Sequence, residues 1–248
     1  MTELLDRRIL GAVRFVDATT RQKIQDPLDV RADGVRFVRN RASLYVIASA
    51  VGLEKHVDAF DQPPAAPAVG SVKTPAQVSD PAGRFLGRTF TLELPRDPTL
   101  DPADGASLFH PLDVALFPSS TADVSPGWAL IRASVTKAGG AAAPGALVRV
   151  LAHTGGAVMA MGLADGRGEA LVAVPGIPVT TFGAEPGDPV TTSEVSVDLE
   201  TIYDAAAGAW PDPDSIVQRK ALLPTSTAAD VKLASGRVVT TSLVVPAP

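Results

Sequence analysis

The sequence predicts an all-β chain with two sandwich-like modules in tandem, a proline-containing acidic linker between them and a β extension at the C-terminus. Three observations carry this. The 22 prolines and 21 glycines punctuate short apolar runs instead of forming one low-complexity block. Several of those runs are rich in β-branched residues and alternate with period two. At 248 residues the chain also exceeds the usual single-domain size of roughly 100 to 150.

The first module is expected over residues 1–96. Ile9 to Val16 is an apolar strand, followed by a polar stretch to Asp26 and by Pro27. Leu28, Val30 and Ala32 then alternate with Asp29 and Arg31, and Asp33-Gly34 is a turn signal before Val35 to Val38. Leu44 to Ile47 is the next strand. Residues 62–81 hold five prolines and few large apolar groups, which predicts a long excursion outside the core. Thr89 to Leu94 is the clearest strand of this half, with Phe90, Leu92 and Leu94 on one face and Thr89, Thr91 and Glu93 on the other. Residues 97–126 carry five aspartates and no Lys or Arg, so the linker is placed there.

The second module is expected over 127–205. Leu130 to Val135, Leu147 to Ala152, Val158 to Leu163 and Ala170 to Val174 are its strands. Pro144-Gly145 and Asp165-Gly166-Arg167-Gly168 are its turns, and Val195, Val197 and Leu199 alternate with polar neighbours in a further strand. In the extension, 206–248, Pro211-Asp212-Pro213-Asp214 is a rigid break and Arg237 to Val245 is β-prone. A terminal strand either returns to a parent sheet or pairs with another chain.

Charge and composition narrow the function classes. The formal net charge is −5, yet residues 1–41 hold nine Lys/Arg against six Asp/Glu. A sequence pI near 5.2 opposes a polyanion, so nucleic acid is not expected, and Arg36, Arg39 and Arg41 suit acidic groups of a protein partner instead. No run approaches 18 uninterrupted apolar residues, so no membrane span is expected. With zero cysteines, no thiolate chemistry or disulfide framework is expected either. The opening MTELLDRRIL lacks the apolar core of a secretory signal, which places the chain by default in the cytoplasm.

The search for chemistry gives little. His56, His110 and His153 lie far apart in sequence, and no two have the i, i+4 spacing of a helical metal pair. His110 with Asp113 has the look of an oriented base, without a nucleophile elbow to serve. Asp97, Asp101 and Asp104 before Gly105 do not fit an EF-hand loop. No phosphate-cradling glycine loop occurs. Catalytic, cofactor and metal residues are therefore expected to be absent. The candidate interface residues are Arg36, Arg39, Arg41, the boundary tryptophans Trp128 and Trp210, and Val244 and Val245 of the terminal run.

Residues 128–200 resemble a known family. Pro144-Gly145-Ala146-Leu147-Val148, then Asp165-Gly166-Arg167-Gly168, then Leu171-Val172-Ala173-Val174-Pro175, is similar to the carboxypeptidase regulatory-like domain. The resemblance implies an Ig-like or transthyretin-like β-sandwich that is non-catalytic and serves as spacer or docking module. Residues 9–95 resemble the family loosely, since Arg21 to Pro27 lacks the glycine and Asn40 to Leu44 stands in place of the Asp-Gly turn. The order of modules, in turn, resembles accessory proteins of phage-tail-like contractile injection systems. The expected function is a structural or adaptor subunit of a larger bacterial assembly, self-association included. The alternative is a ligand- or glycan-binding sandwich.

Overall fold

The structure, a computed structural model, describes residues 8–58, 64–99, 105–125, 127–178 and 194–246. Within them the chain is all-β, with two short α-helices. It divides into two units whose segments interleave along the sequence. The first comprises Met1–Asp17, Gln22–Pro81 and Gly87–Leu116; the second comprises Ala18–Arg21, Ala82–Leu86 and Phe117–Pro248.

The first unit is one continuous sheet. Its strands are β1 (Gly11–Asp17), β2 (Asp29–Ala32), β3 (Val35–Arg39), β4 (Tyr45–Ala50), β5 (Val72–Ser79), β6 (Arg88–Leu94) and β7 (Leu112–Leu116), hydrogen-bonded in the order β6-β5-β2-β3-β4-β1-β7. Phe15 of β1 meets Phe90 of β6 edge-to-face at 5.7 Å, and Tyr45 of β4 at 5.2 Å. Five strand spacings separate β1 from β6 along the sheet, roughly 24 Å if it were flat. The sheet is therefore curled into a near-barrel around these rings. Arg88, fully buried on β6, donates from Nη1 to the carbonyl of Ala115 on β7 at 2.9 Å, tying one edge strand to the other. Helix α1 (Glu54–Asp58) follows β4.

Two expectations fail in this unit. Residues 62–81 include the eight-residue strand β5, whose Ala76 and Val78 are buried, so part of this stretch belongs to the sheet and its core. The linker expected over 97–126 contains β7, which pairs in parallel with β1, Val13 opposite Leu112 through Asp17 opposite Leu116. Its Val114 and Leu116 are buried, and five aspartates spread over thirty residues do not prevent a five-residue strand from inserting two apolar side chains.

The second unit is a two-sheet sandwich. Strands β9 (Leu147–Ala152), β10 (Val158–Leu163), β12 (Val195–Ile202) and β13 (Thr225–Leu233) form one sheet in the order β10-β9-β12-β13. Strands β8 (Ala129–Lys137), β11 (Glu169–Val174) and β14 (Val238–Val245) form the other, ordered β11-β8-β14. Their inner faces share one core: Ile131, Val135, Val172 and Val245 from the smaller sheet meet Val150 and Leu199 from the larger. A second apolar cluster joins Phe117, Leu147, Leu163, Ile202 and Ile216, the last of these from helix α2 (Pro213–Gln218). Asp212 caps that helix by accepting from the backbone N–H groups of Asp214 and Ser215, so the Pro-Asp break of the sequence is a helix start.

The extension expected over 206–248 thus supplies a strand to each sheet. β13 pairs with β12, and β14 runs parallel to β8, Val238 opposite Leu130 through Val245 opposite Lys137. The terminal strand returns to its own sheet.

Candidate functional site

The residues singled out from the sequence are divided between the two units. In the first unit, Arg36 is exposed on β3 and Arg41 is exposed in the β3–β4 turn. Arg39 has a structural role, donating to the carbonyl of Gln25 and, at 2.8 Å, to Oγ of Ser43. In the second unit, Trp128 is half-buried beside the start of β8, Trp210 is 38% exposed before α2, and Val244 faces solvent. Val245 is wholly buried, which removes it from any interface, because alternate residues of β14 point into the sandwich.

The suggested base pair is also not assembled. Asp113 on β7 receives both Nε and Nη2 of Arg14 on β1, at 2.5 and 2.6 Å, a two-pronged bond that fixes the carboxylate on the outer face of the sheet. The backbone carbonyl of His110 accepts from Arg96 at 3.0 Å. Asp97 accepts from the backbone N–H of Thr99, whose donation holds its carboxyl below the usual range. Asp101 and Asp104 lie outside the described residues. Among the described residues no group of three or more His, Cys, Asp or Glu is arranged to hold a metal ion.

Titratable groups of the second unit are bound into local pairs. Glu200 on β12 is buried and takes Arg149 of β9 at 2.7 Å and Lys220 as partners. Burial opposes the charge of Asp165, but the N–H groups of Arg167 and Glu169 outweigh it and keep the carboxyl below its ordinary value. On the outer face of the larger sheet, Nδ1 of His153 lies 2.8 Å from Oδ1 of Asp198, which also accepts from the N–H of Asp230 at 3.0 Å. The hydrogen bond that His153 donates to Asp198 raises the His153 pKa.

One of the concave sites in the first unit is walled by prolines, and the sequence reading did not find it. It has a volume of about 190 Å³ and is walled by Pro64, Pro67, Pro95 and Pro98, with Arg8 and Arg96 also in its lining. Of its lining residues, Ile9 and Val69 are exposed, at 43% and 49%, whereas His56 of α1 is buried, at 6%. Both ring nitrogens of His56 are buried, and among the described residues neither has a hydrogen-bond partner. The available signal is the set of prolines on either side of Thr89 to Leu94, which fall in the stretches expected to be an excursion and a linker. Comparison with family models, curated proteins and solved structures finds no match to this chain.

Proposed function

We propose that the chain is a non-catalytic structural or adaptor subunit of a larger bacterial protein assembly, with a phage-tail-like contractile injection particle as the assembly type to test first. The observation that carries this reading is the outer edge of β14. Its one ladder neighbour among the described residues is β8, so the other side of an eight-residue strand offers unpaired backbone groups. The strand reads VVTTSLVV, with no charge and no proline. Folded proteins ordinarily blunt such an edge with Lys, Pro or a bulge, because it templates pairing with another chain. Strand addition by a partner, or by a second copy, covers it and gives main-chain hydrogen bonds that need no catalytic group. The turns Pro144-Gly145 and Asp165 to Gly168, which carry the resemblance to the regulatory-like docking domain, fit the same role.

The test is a pair of edge substitutions, Val238→Lys and Val244→Lys, both at exposed positions. Each is expected to leave the unfolding midpoint within about 0.5 kcal/mol of the parent. In size-exclusion chromatography with light scattering of material from the native source, both variants should move from the high-mass fraction to the monomer. A parent protein recovered alone as a strict monomer overturns the proposal.

A further inference from the structure

The open edge of β14 carries its own complement. The carbonyls of Arg237, just before the strand, and of Val245 accept from the N–H groups of Leu130 and Ala138, each at 2.9 Å. Successive residues of a strand turn their N–H and C=O groups to opposite sides, so the odd-numbered residues from Arg237 to Val245 bond β8. Val238, Thr240, Ser242 and Val244 turn theirs the other way, where no backbone partner lies among the described residues, and their side chains are exposed. The three other edge strands of this unit each carry a charge or an irregularity that discourages pairing. β10 and β13 contain register shifts, β13 also has Asp230 at φ of +57° and Lys232, and β11 begins on Glu169. β14 keeps an unbroken register with β8 and holds no charge.

A second copy laid antiparallel along this edge is related by a two-fold axis normal to the sheet, so exposed positions oppose exposed positions. With Thr241 on the axis, Val238 opposes Val244 and Thr240 opposes Ser242 on the outer face, while Val239 opposes Leu243 on the inner one. All four outward-turned residues then fall in hydrogen-bonded pairs, each copy donating four N–H groups to four carbonyls of the other. The adjacent registers are poorer. One sets Val238 against Pro246, which has no N–H. The other sets Val244 against Gly236, whose N–H is held by the Trp128 carbonyl at 3.1 Å and whose φ is +70°. In the favoured register β-branched and hydroxyl side chains oppose their own kind, which stabilises a strand pair, and Arg237 opposes Val245, so no like charges meet. We propose that the partner of the β14 edge is a second copy of this chain, paired antiparallel about a two-fold axis through Thr241. The proposal rests on the docking role assigned to that edge and names its occupant.

The experiment is sedimentation equilibrium of the purified full chain, loaded up to about 1 mM so that any dissociation constant below that value is seen. The mass is expected to rise from the 25.5 kDa of one chain and to level off at twice that. Val238→Lys together with Val244→Lys sets like charges opposite each other and should raise the dissociation constant about ten-fold or more. Val238→Glu together with Val244→Lys sets unlike charges opposite each other and should restore it to within about three-fold of the parent. Within one chain the two positions lie roughly 20 Å apart, so the rescue reads pairing across the axis and not a repair of the fold. If the lysine variants do not fold, cross-linking decides the matter. The chain has no cysteine, and opposed Cα atoms at the axis stand about 4.5 Å apart, within disulfide reach. Mild oxidation should join Thr241→Cys into a dimer and leave Ser242→Cys, which is off the axis, as single chains. A constant mass of one chain, growth past two chains, no rescue by the Glu–Lys pair, or preferential cross-linking of Ser242→Cys overturns the proposal. A purified monomer whose native-source form is still large, and is lost in Val244→Lys, overturns the second copy and leaves the docking edge in place; a monomer in both settings overturns both.

Discussion

At the residue scale, the turn from Asp165 to Gly168 shows how one position can fix a corner of the fold. Gly168 has φ of +82°, and a Cβ placed on it would lie 2.4 Å from the carbonyl oxygen of Val135 on β8. That oxygen belongs to backbone, so it cannot turn aside as a flexible side chain would. Gly155, with φ of +85°, has nothing within 4 Å of the same hypothetical Cβ. The two glycines therefore separate conformational strain from collision. Gly155→Ala is expected to cost about 1 kcal/mol, the left-handed penalty alone. Gly168→Ala should cost roughly 3 kcal/mol or more, because collision with β8 is added to that strain. Urea unfolding with an unchanged slope checks both, and equal midpoints for the two variants would refute the steric argument. Gly168 was legible as a turn residue from the spacing Asp165-Gly166-Arg167-Gly168. Its close approach to β8 was not, because nothing in a local pattern says which distant strand lies behind a turn.

At the element scale, legibility follows how much of a strand's burial is written in its own residues. β6 and β12 alternate apolar with polar side chains, and both stand where period two placed them. β5 was hidden because its inward residues toward the core are as small as Ala76, and because Pro75 argues against a central strand. The ladder explains the tolerance: β2 pairs with β5 only from Ala76 to Ser79, so at Pro75 the side toward β2 has no ladder to break, and β6 alone lies opposite. β13 was hidden by its polar sequence TSTAADVKL, in which Leu233 is the one fully buried residue. On β12, Asp198 also holds His153 beside the end of β9. The His153 pKa is raised and the Asp198 pKa lowered by the same hydrogen bond. For the histidine, stabilisation is complete below its unfolded value, about 6.5, and is lost as pH rises through the folded value. For the aspartate, it is present above an unfolded value of about 3.9 and is lost as pH falls through the folded one. The pair thus contributes most between about pH 4 and 6.5. An NMR titration of the His153 ring should give a midpoint above that of a free histidine. Asp198→Asn should bring it down, and an unmoved midpoint would show that the bond does not persist in solution.

At the scale of the whole molecule, the linear order of modules is where sequence reasoning and structure diverge most. Boundaries drawn at proline-rich or acidic stretches assume that a change of composition is a change of unit. Here Ala18–Arg21 and Ala82–Leu86 belong to the second unit although the first unit's segments surround them. Ala18 and Leu86 pack against its cluster around Phe117 and Ile216. The pocket in the first unit was illegible for a related reason: its walls come from stretches near residues 9, 56, 65, 96 and 108, and only the fold brings them together. These facts predict how the chain responds to cutting. A fragment of residues 127–205, the module suggested by the turn motifs, lacks β13 and β14, and so lacks Leu233, Leu243 and Val245 from the shared core. It also exposes both the inner side of β12 and the flank of β8 that β14 covers. It is expected to remain unfolded. A fragment of residues 117–248 retains both sheets and the helix α2 and should fold, at a stability below that of the intact chain because Ala18 and Leu86 are missing. Dispersion of amide signals in a ¹H–¹⁵N correlation spectrum distinguishes the two. A folded 127–205 fragment would mean that the terminal strands decorate the sandwich instead of completing it, and would return the edge proposed for docking from β14 to β8.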